Sequence, residues 1–452
     1  MPSHVEFLNI SVFAAFGCLF ILMLFLVART EKFLDHVFLY IAACGMSDFA
    51  KRLIYVAVDT DISLLYYACL LFPDILFLFI MLRSRRRVSL QRLLWVGLLM
   101  ALLFGHGIVF AGPASVIVAY KTYAMLMVWF VLDRGYFSIT ASELHSFLLK
   151  LLALVAICGV YGVIQFVAGY FIWEVNWFSF SPTGMKMVEV MNNGKLYRAF
   201  SVFSGVQEYS MIIIYVMSLA AFLLKGWQRL LWLALMAAFL ISSGSKTAFL
   251  AMIIAGLCYK LKIYKRFTIL IACMAAPLVY IYTRTGPEIW GLVNVVRQLA
   301  PASLVSLVDP GTIVPRIAVL GEFFKIDQNA RTILIGHGFG ASRGAIIFDN
   351  SYLMVMYEVG VVGLSAFMYA LLKFFKSASR IIELSTVESD RVFAQAQVVF
   401  MVSAMLSLFV SQNIGIRTFF ILFASCIVWV ATTQTSGDSI ANNNREGERC
   451  ER

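Results

Sequence analysis

The stretch that decides the fold is Ile335–Leu372, IGHGFGASRGAIIFDNSYLMVMYEVGVVGLSAFMYALL. It begins as a glycine-rich loop, reaches Asp349-Asn350-Ser351, and continues as an apolar run with Glu358, Gly360 and Gly363 near its start. Polar residues at the mouth of a membrane helix are expensive to place, so their presence points to chemistry or transport at the membrane surface. The loop ahead of them carries several arginines, a combination suited to an anionic, lipid-linked substrate.

Outward from this stretch the chain is apolar throughout. Of its 452 residues 61% are hydrophobic and 13% charged, with a mean hydropathy of +0.87. Successive apolar runs of about 20 residues each suffice to cross roughly 30 Å of hydrocarbon. The expected fold is an all-α polytopic membrane protein of about 12–13 transmembrane helices. Spans are expected near 7–28, 33–47, 63–82, 93–112, 114–132, 147–171, 204–224, 227–243, 246–260, 266–283, 350–372, 393–411 and 414–433. Residues 1–433 then form one integral-membrane domain, and the polar 434–452 a disordered cytoplasmic tail. Residues 1–9 hold no Lys or Arg, so the first run lacks the basic flank of a cleaved signal and is expected to be a retained span.

Charge placement sets orientation. Basic clusters follow the first span (Arg29, Lys32), the third (Arg83, Arg85, Arg86, Arg87, Arg92) and the seventh (Lys225, Arg229). Others follow the ninth (Lys260, Lys262, Lys265, Arg266) and the eleventh (Lys373, Lys376, Arg380). Simple alternation puts all five on one side, which is then cytoplasmic. The net charge of +11 is therefore spent on topology and anionic headgroups, and no basic surface with interleaved aromatics argues for nucleic acid. Two long loops, 172–203 and 284–349, face away from the cytoplasm. The second holds Pro287, Pro301, Pro310 and Pro315 between amphipathic stretches, the pattern of short helices lying on the membrane. Trp173 and Trp177 suit an aromatic belt at the mouth of the first.

Seven of the eight cysteines lie in or beside apolar runs and Cys450 in the tail, at no metal-binding spacing. Neither a disulfide framework nor a metal site is indicated. No internal repeat supports the inverted symmetry of a transporter.

With this topology a set of polar groups meets on the outer face. Arg198 closes the first long loop, and Gln207 and Glu208 enter the next span. Lys246 stands at the tight turn in ISSGSKTAFLAM; Arg316, Arg331 and Arg343 belong to the second loop, and Asp349 ends it. Cations around one carboxylate are what glycosyl transfer from a polyprenyl diphosphate requires. The leaving pyrophosphate needs cations, and the attacking sugar hydroxyl needs a base. Each residue also has a plainer reading. Asp349 can be the N-cap of the eleventh span, Lys246 a helix-end residue, and the loop arginines simply solvated. Glu208 is harder to dismiss, because an acid within an apolar span is a functional candidate by default. Gly336, Gly338 and Gly340 lack the preceding strand of a dinucleotide-binding turn; they permit a tight turn whose backbone N–H groups are open to an anion. Gly360 and Gly363 allow close helix packing. Asp48, Lys51 and Arg52 after the second span, Asp74 beside Pro73, and Lys121 are weaker candidates.

At these residues the chain resembles the O-antigen polymerase/O-antigen ligase superfamily of bacterial membrane glycosyltransferases, over roughly 195–375. Four pieces in order carry the resemblance. The first is Arg198 opening a segment that contains Glu208. The second is the Ser-rich turn Ser242-Ser243-Gly244-Ser245-Lys246-Thr247-Ala248-Phe249, and the third Arg316 ahead of Phe323-Phe324. The fourth is the Gly336-His337-Gly338-Phe339-Gly340 turn leading to Asp349-Asn350-Ser351-Tyr352 and then Glu358, Gly360 and Gly363. The resemblance implies an inner-membrane enzyme with a large periplasmic loop over a cavity, transferring glycan from undecaprenyl diphosphate without a metal ion or other cofactor. Carried over, Arg198, Lys246 and Arg316 bind the diphosphate and Asp349 stands at the catalytic position. His337, Asn350, Tyr352, Glu208 and Glu358 support them. Ligases of this superfamily have His where this chain has Asp349, which makes it more similar to the polymerase branch. That branch joins the chain to another lipid-linked repeat unit beside a chain-length regulator and a flippase. Lys246 replaces the more usual Arg, keeping the charge and losing the bidentate fork. The rival readings are a ligase that delivers glycan to lipid A-core or another acceptor, and an exporter or flippase of the lipid-linked glycan.

Overall fold

The computed structural model describes residues 4–55, 63–84, 88–113, 131–132, 134–175, 190–191, 196–203, 205–266, 330–341, 351–408, 421–431 and 433. It is helical, as the apolar runs require: in hydrocarbon a helix is the simplest way to satisfy every backbone group within one segment. The helices are α1 (His4–Arg29), α2 (Phe33–Tyr55), α3 (Ser63–Arg83), α4 (Leu90–Ala111), α5 (Ala141–Ala168) and α6 (Val206–Leu223). Then come α7 (Gly226–Ser242), α8 (Lys246–Lys260), the short α9 (Ala330–Ile335), α10 (Ser351–Leu384), α11 (Glu388–Leu408) and α12 (Ile421–Ala431). A two-residue ribbon, β1 (Val190–Met191) antiparallel to β2 (Leu196–Tyr197), is the one sheet among the described residues. Seven described helices are long and apolar enough to cross a membrane.

Burial separates inner helices from outer ones. Buried residues make up 72% of the apolar window of α6 and 78% of that of α11, against 11% in α1 and 6% in α4. On α4, Leu94, Trp95, Leu102 and Val109 stand exposed, an apolar surface suited to lipid rather than water. At the centre, Gln397 of α11 donates to the Tyr215 hydroxyl of α6 at 3.2 Å, and the Tyr215 and Phe400 rings meet edge-on at 5.0 Å. The Cys426 thiol of α12 donates to the Gln397 side-chain oxygen, so a polar triad pins three helices in an otherwise apolar core. Gly159 on α5 admits the Phe239 ring of α7, which stands where a Cβ would be.

Four ion pairs gather at one end of the bundle. Lys32 pairs with Glu143 at 3.1 Å, Lys150 with Asp35 at 2.6 Å and Arg83 with Glu31 at 2.9 Å; Lys265 pairs with Glu383. Glu143 also completes a capping box with Thr140, which starts α5. α2 is thus tied near its start to α5 by Asp35–Lys150, and near its end to the turn just after α5 by Arg52–Glu174, so the two helices run in parallel. The spans expected at these positions alternate in the same sense.

Several expected boundaries change. The second span does not stop at 47: α2 continues to Tyr55, so Asp48, Lys51 and Arg52 lie inside the helix rather than after it. Their charges lower local hydropathy, and pairing within the protein is what lets them stay. The sixth span starts earlier, at Ala141. The eleventh does not end at 372: α10 runs to Leu384, carrying Lys373, Lys376 and Arg380 within it, and is broken at Gly360. The six cysteines described as free thiols are Cys18, Cys44, Cys69, Cys158, Cys258 and Cys426. The spans expected at 266–283 and over most of 114–132, with Lys121, lie outside the described residues, as do most of the second long loop and the 434–452 tail.

Candidate functional site

At the end of the bundle opposite those four pairs, residues 198–203 (RAFSVF) lead from β2 into α6 as irregular backbone. Such backbone at membrane depth is tolerated only where protein satisfies its polar groups. Here the Tyr170 hydroxyl donates to the Arg198 carbonyl at 2.8 Å, and the Ala199 N–H donates to the Ser242 carbonyl at 3.0 Å. Ser242 opens the Ser-rich turn between α7 and α8. In that turn Ser210 of α6 donates to the Ser243 hydroxyl at 3.0 Å, the Ser245 N–H donates to the same hydroxyl, and Ser245 caps α8 through the Ala248 N–H. Lys246 is the first residue of α8. Two of the expected diphosphate ligands, Arg198 and Lys246, therefore sit on segments bonded directly to one another although far apart in sequence.

Glu208 lies in the first turn of α6, is 2% exposed, and stands within electrostatic reach of Arg52. Arg52 is the residue the sequence reading undervalued. Its guanidinium donates to the Ser201 carbonyl at 2.7 Å, to the Phe203 carbonyl, and to the Asp48 carbonyl at 3.2 Å. It also faces Glu174 at 3.4 Å and lies over the Phe200 ring at 4.5 Å. Glu174, on a single turn at 172–175, accepts from the Tyr161 hydroxyl at 2.8 Å, from the Phe171 N–H at 3.1 Å and from Gln165. Burial pushes the Glu174 carboxyl up, against the downward pull of Arg52. Neither Gln165 nor Glu174 was singled out in the sequence. A Gln inside the fifth helix and a Glu in the apolar mouth FIWEV were the available signals. Trp173, expected in an aromatic belt, stacks on Phe171 at 4.6 Å and donates to Tyr161.

The glycine-rich turn plays a different part from the one its sequence suggested. At Gly360 (φ 66°, ψ −168°) α10 leaves helical geometry. The His337 N–H donates to the Tyr357 carbonyl at 2.8 Å and the Gly338 N–H to the Glu358 carbonyl at 3.1 Å. Those two N–H groups are spent on the broken helix and are not open to an anion. The approach demands glycine on both sides. A Cβ at Gly336 would stand 2.4 Å from the Glu358 carbonyl oxygen, and one at Gly360 2.3 Å from that of Leu334. Gly360 is thus a docking point for the turn rather than a helix-packing glycine. The His337 ring stacks on Tyr357 at 4.2 Å, and Glu358 is buried beside it. The Tyr352 hydroxyl donates to the Met405 carbonyl, joining α10 to α11. Arg331, one of the expected loop cations, lies over the Phe110 ring at 3.8 Å, and Gly338 packs on Ala111 at the end of α4. Asp74 is buried in α3 next to Pro73.

Asp349, Asn350, Arg316, Arg343 and Trp177 lie outside the described residues, as does the Lys246 side chain. Among the described residues, no group of three or more His, Cys, Asp or Glu side chains is placed to hold a metal ion. No protein-family model matches the sequence, and no curated protein matches it either.

Proposed function

We propose that this chain is a polysaccharide polymerase of the bacterial inner membrane, transferring a glycan from undecaprenyl diphosphate to the terminal sugar of another lipid-linked repeat unit. The observation that carries the reading is the bond from the Ala199 N–H to the Ser242 carbonyl, which sets Arg198 and the start of α8, with Lys246, at one end of a membrane bundle. That end lies opposite the Lys/Arg-rich loop clusters, which supports a periplasmic position for it under the positive-inside rule. Two cations on neighbouring segments suit a leaving diphosphate, whose charge grows as the glycosidic bond breaks.

In this mechanism the acceptor sugar hydroxyl attacks the anomeric carbon directly, and Asp349 accepts its proton. Arg198, Lys246 and Arg316 meet the departing undecaprenyl diphosphate. A single displacement with no covalent intermediate inverts the anomeric configuration. Glu208, His337, Asn350, Tyr352 and Glu358 are the supporting candidates in this reading, Tyr352 through its anchorage to α11.

The test is polymerisation by the purified protein in lipid, given an undecaprenyl diphosphate-linked repeat unit with chelator present and products resolved by size. A ladder that disappears with Asp349→Ala supports the reading. Chains that appear only when a lipid A-core acceptor is added replace it with a ligase. Folded protein that yields neither product, but moves the lipid-linked glycan across a vesicle membrane, replaces it with an exporter.

A further inference from the structure

The ion pair behind residues 198–203 has no part in the reaction just described, yet it is the most deeply buried charge among the described residues: Arg52 and Glu174 are both 0% exposed. Removing two charges from solvent costs several kcal/mol per ion, so such a pair is a poor device for stability alone. Its bonding shows where the gain lies. Arg52 holds the carbonyls of Ser201 and Phe203. Gln165 presents its side-chain oxygen to the N–H groups of Phe200 at 3.2 Å and Ser201 at 2.7 Å, while its amide donates to Glu174. The Ser201 hydroxyl donates to the Cys158 carbonyl at 2.6 Å. With Tyr170 on the Arg198 carbonyl and Ser242 on the Ala199 N–H, side chains and backbone from α2, α5 and α7 grip this segment along its length. They hold it in a conformation it would not choose: Ser201 sits at φ 55°, a left-handed value unfavourable for a non-glycine residue. Gly45 of α2 lets the Val202 and Phe203 side chains approach to just over 3 Å from where its Cβ would stand, closing the grip from the other side.

We propose that Arg52, Gln165 and Glu174 are positioning residues that fix the backbone of residues 198–203, so that Arg198 meets the diphosphate of the lipid-linked donor in one predetermined place. This rests on the donor site proposed above. The three act through Arg198 and do not touch substrate. A charged group meeting charge that develops in a transition state is effective only when its reorganisation has been completed beforehand. The buried pair supplies that by tying backbone to helices rather than leaving Arg198 on a free loop.

The experiment joins a positional readout to a kinetic one. A nitroxide is attached at Arg198→Cys in full-length protein in lipid nanodiscs, and its spectrum is taken as the difference from unsubstituted protein labelled identically. It is compared between the parent and the charge-free pair Arg52→Met with Glu174→Met, which leaves no lone buried charge. The parental label is expected to be immobilised and that of the double variant mobile, at an unchanged core melting temperature. In the transfer assay the double variant is expected to raise the half-saturating donor concentration and to lower turnover about a hundredfold, as a displacement near 1 Å does. Arg198→Ala added to it should cost little more, since both changes remove one contribution. An immobilised label in the folded double variant overturns the proposal, as does full additivity with Arg198→Ala. If the parent shows no transfer, the polymerase reading fails and the label alone decides whether the clamp holds residue 198.

Discussion

Replacing Gly360 by alanine should release the glycine-rich turn from α10 while leaving the rest of the bundle folded. At φ 66° and ψ −168° the backbone occupies a region almost exclusive to glycine, where another residue costs about 2 kcal/mol. The added Cβ would stand 2.3 Å from the Leu334 carbonyl oxygen, so relief requires the turn to move away. Moving it breaks the bonds from His337 to Tyr357 and from Gly338 to Glu358, each worth about 1 kcal/mol. Those bonds are lost on undocking with or without the substitution, so the shift in the docking equilibrium is the strain relieved, about 2 kcal/mol or roughly thirtyfold. Hydrogen exchange read by mass spectrometry on peptides spanning 333–341 measures that equilibrium directly, because both amides are protected only while docked. Exchange there should accelerate by about one to two decades, with peptides from α6 and α11 unchanged. Unaltered protection of 333–341 in the Gly360→Ala protein would refute the argument, since it would mean that a side chain fits where the geometry leaves no room.

Other expectations follow from separate features. Asp349→Asn, at matched protein level, should abolish polymer output in cells; full-length polymer from that variant would remove Asp349 from the mechanism. Gly159→Ala places a Cβ 2.2 Å from the Phe239 ring and should lower stability by about 1–3 kcal/mol, seen as a reduced melting temperature in detergent, with Phe239→Leu restoring it. Thr140→Ala should cost about 1 kcal/mol through loss of the α5 cap. Lys32→Ala, which breaks a largely solvated pair with Glu143, should cost less than about 1 kcal/mol and lose even that in high salt.

What the sequence made legible follows from which physics acts locally. Apolar run length identified helices such as α1, α4 and α6 because hydropathy is a property of the run itself. The end of α2 was illegible for the same reason: Asp48, Lys51 and Arg52 look like a loop until Glu174, more than a hundred residues on, is known to lie beside Arg52. The glycines at 336, 338 and 360 were recognisable as backbone devices, but which backbone each approached depends on packing between α9 and α10. Arg198 and the Ser-rich turn stood out by composition; the Ala199–Ser242 bond that brings them together is a tertiary fact. Gln165 passed unnoticed because one amide in a long apolar helix differs little from a tolerated polar residue until its partners appear.

The lengths of α7 and α8 carry a consequence for the bilayer itself. At 17 and 15 residues they extend about 25 Å and 22 Å, against a hydrocarbon layer of roughly 30 Å. Their outer faces expose Leu230, Leu231, Leu250, Ile253 and Leu257, a surface suited to lipid, and Trp227 with Lys225, Arg229 and Lys260 suits an interface at their far ends. If those far ends lie at one surface, the turn at Ser243–Ser245 stops about 5–8 Å short of the other, and a mismatch of that size is expected to draw the surrounding leaflet inward. Headgroups beside Lys246 are then expected to sit deeper than those elsewhere in the same leaflet, a dimple set by the protein itself.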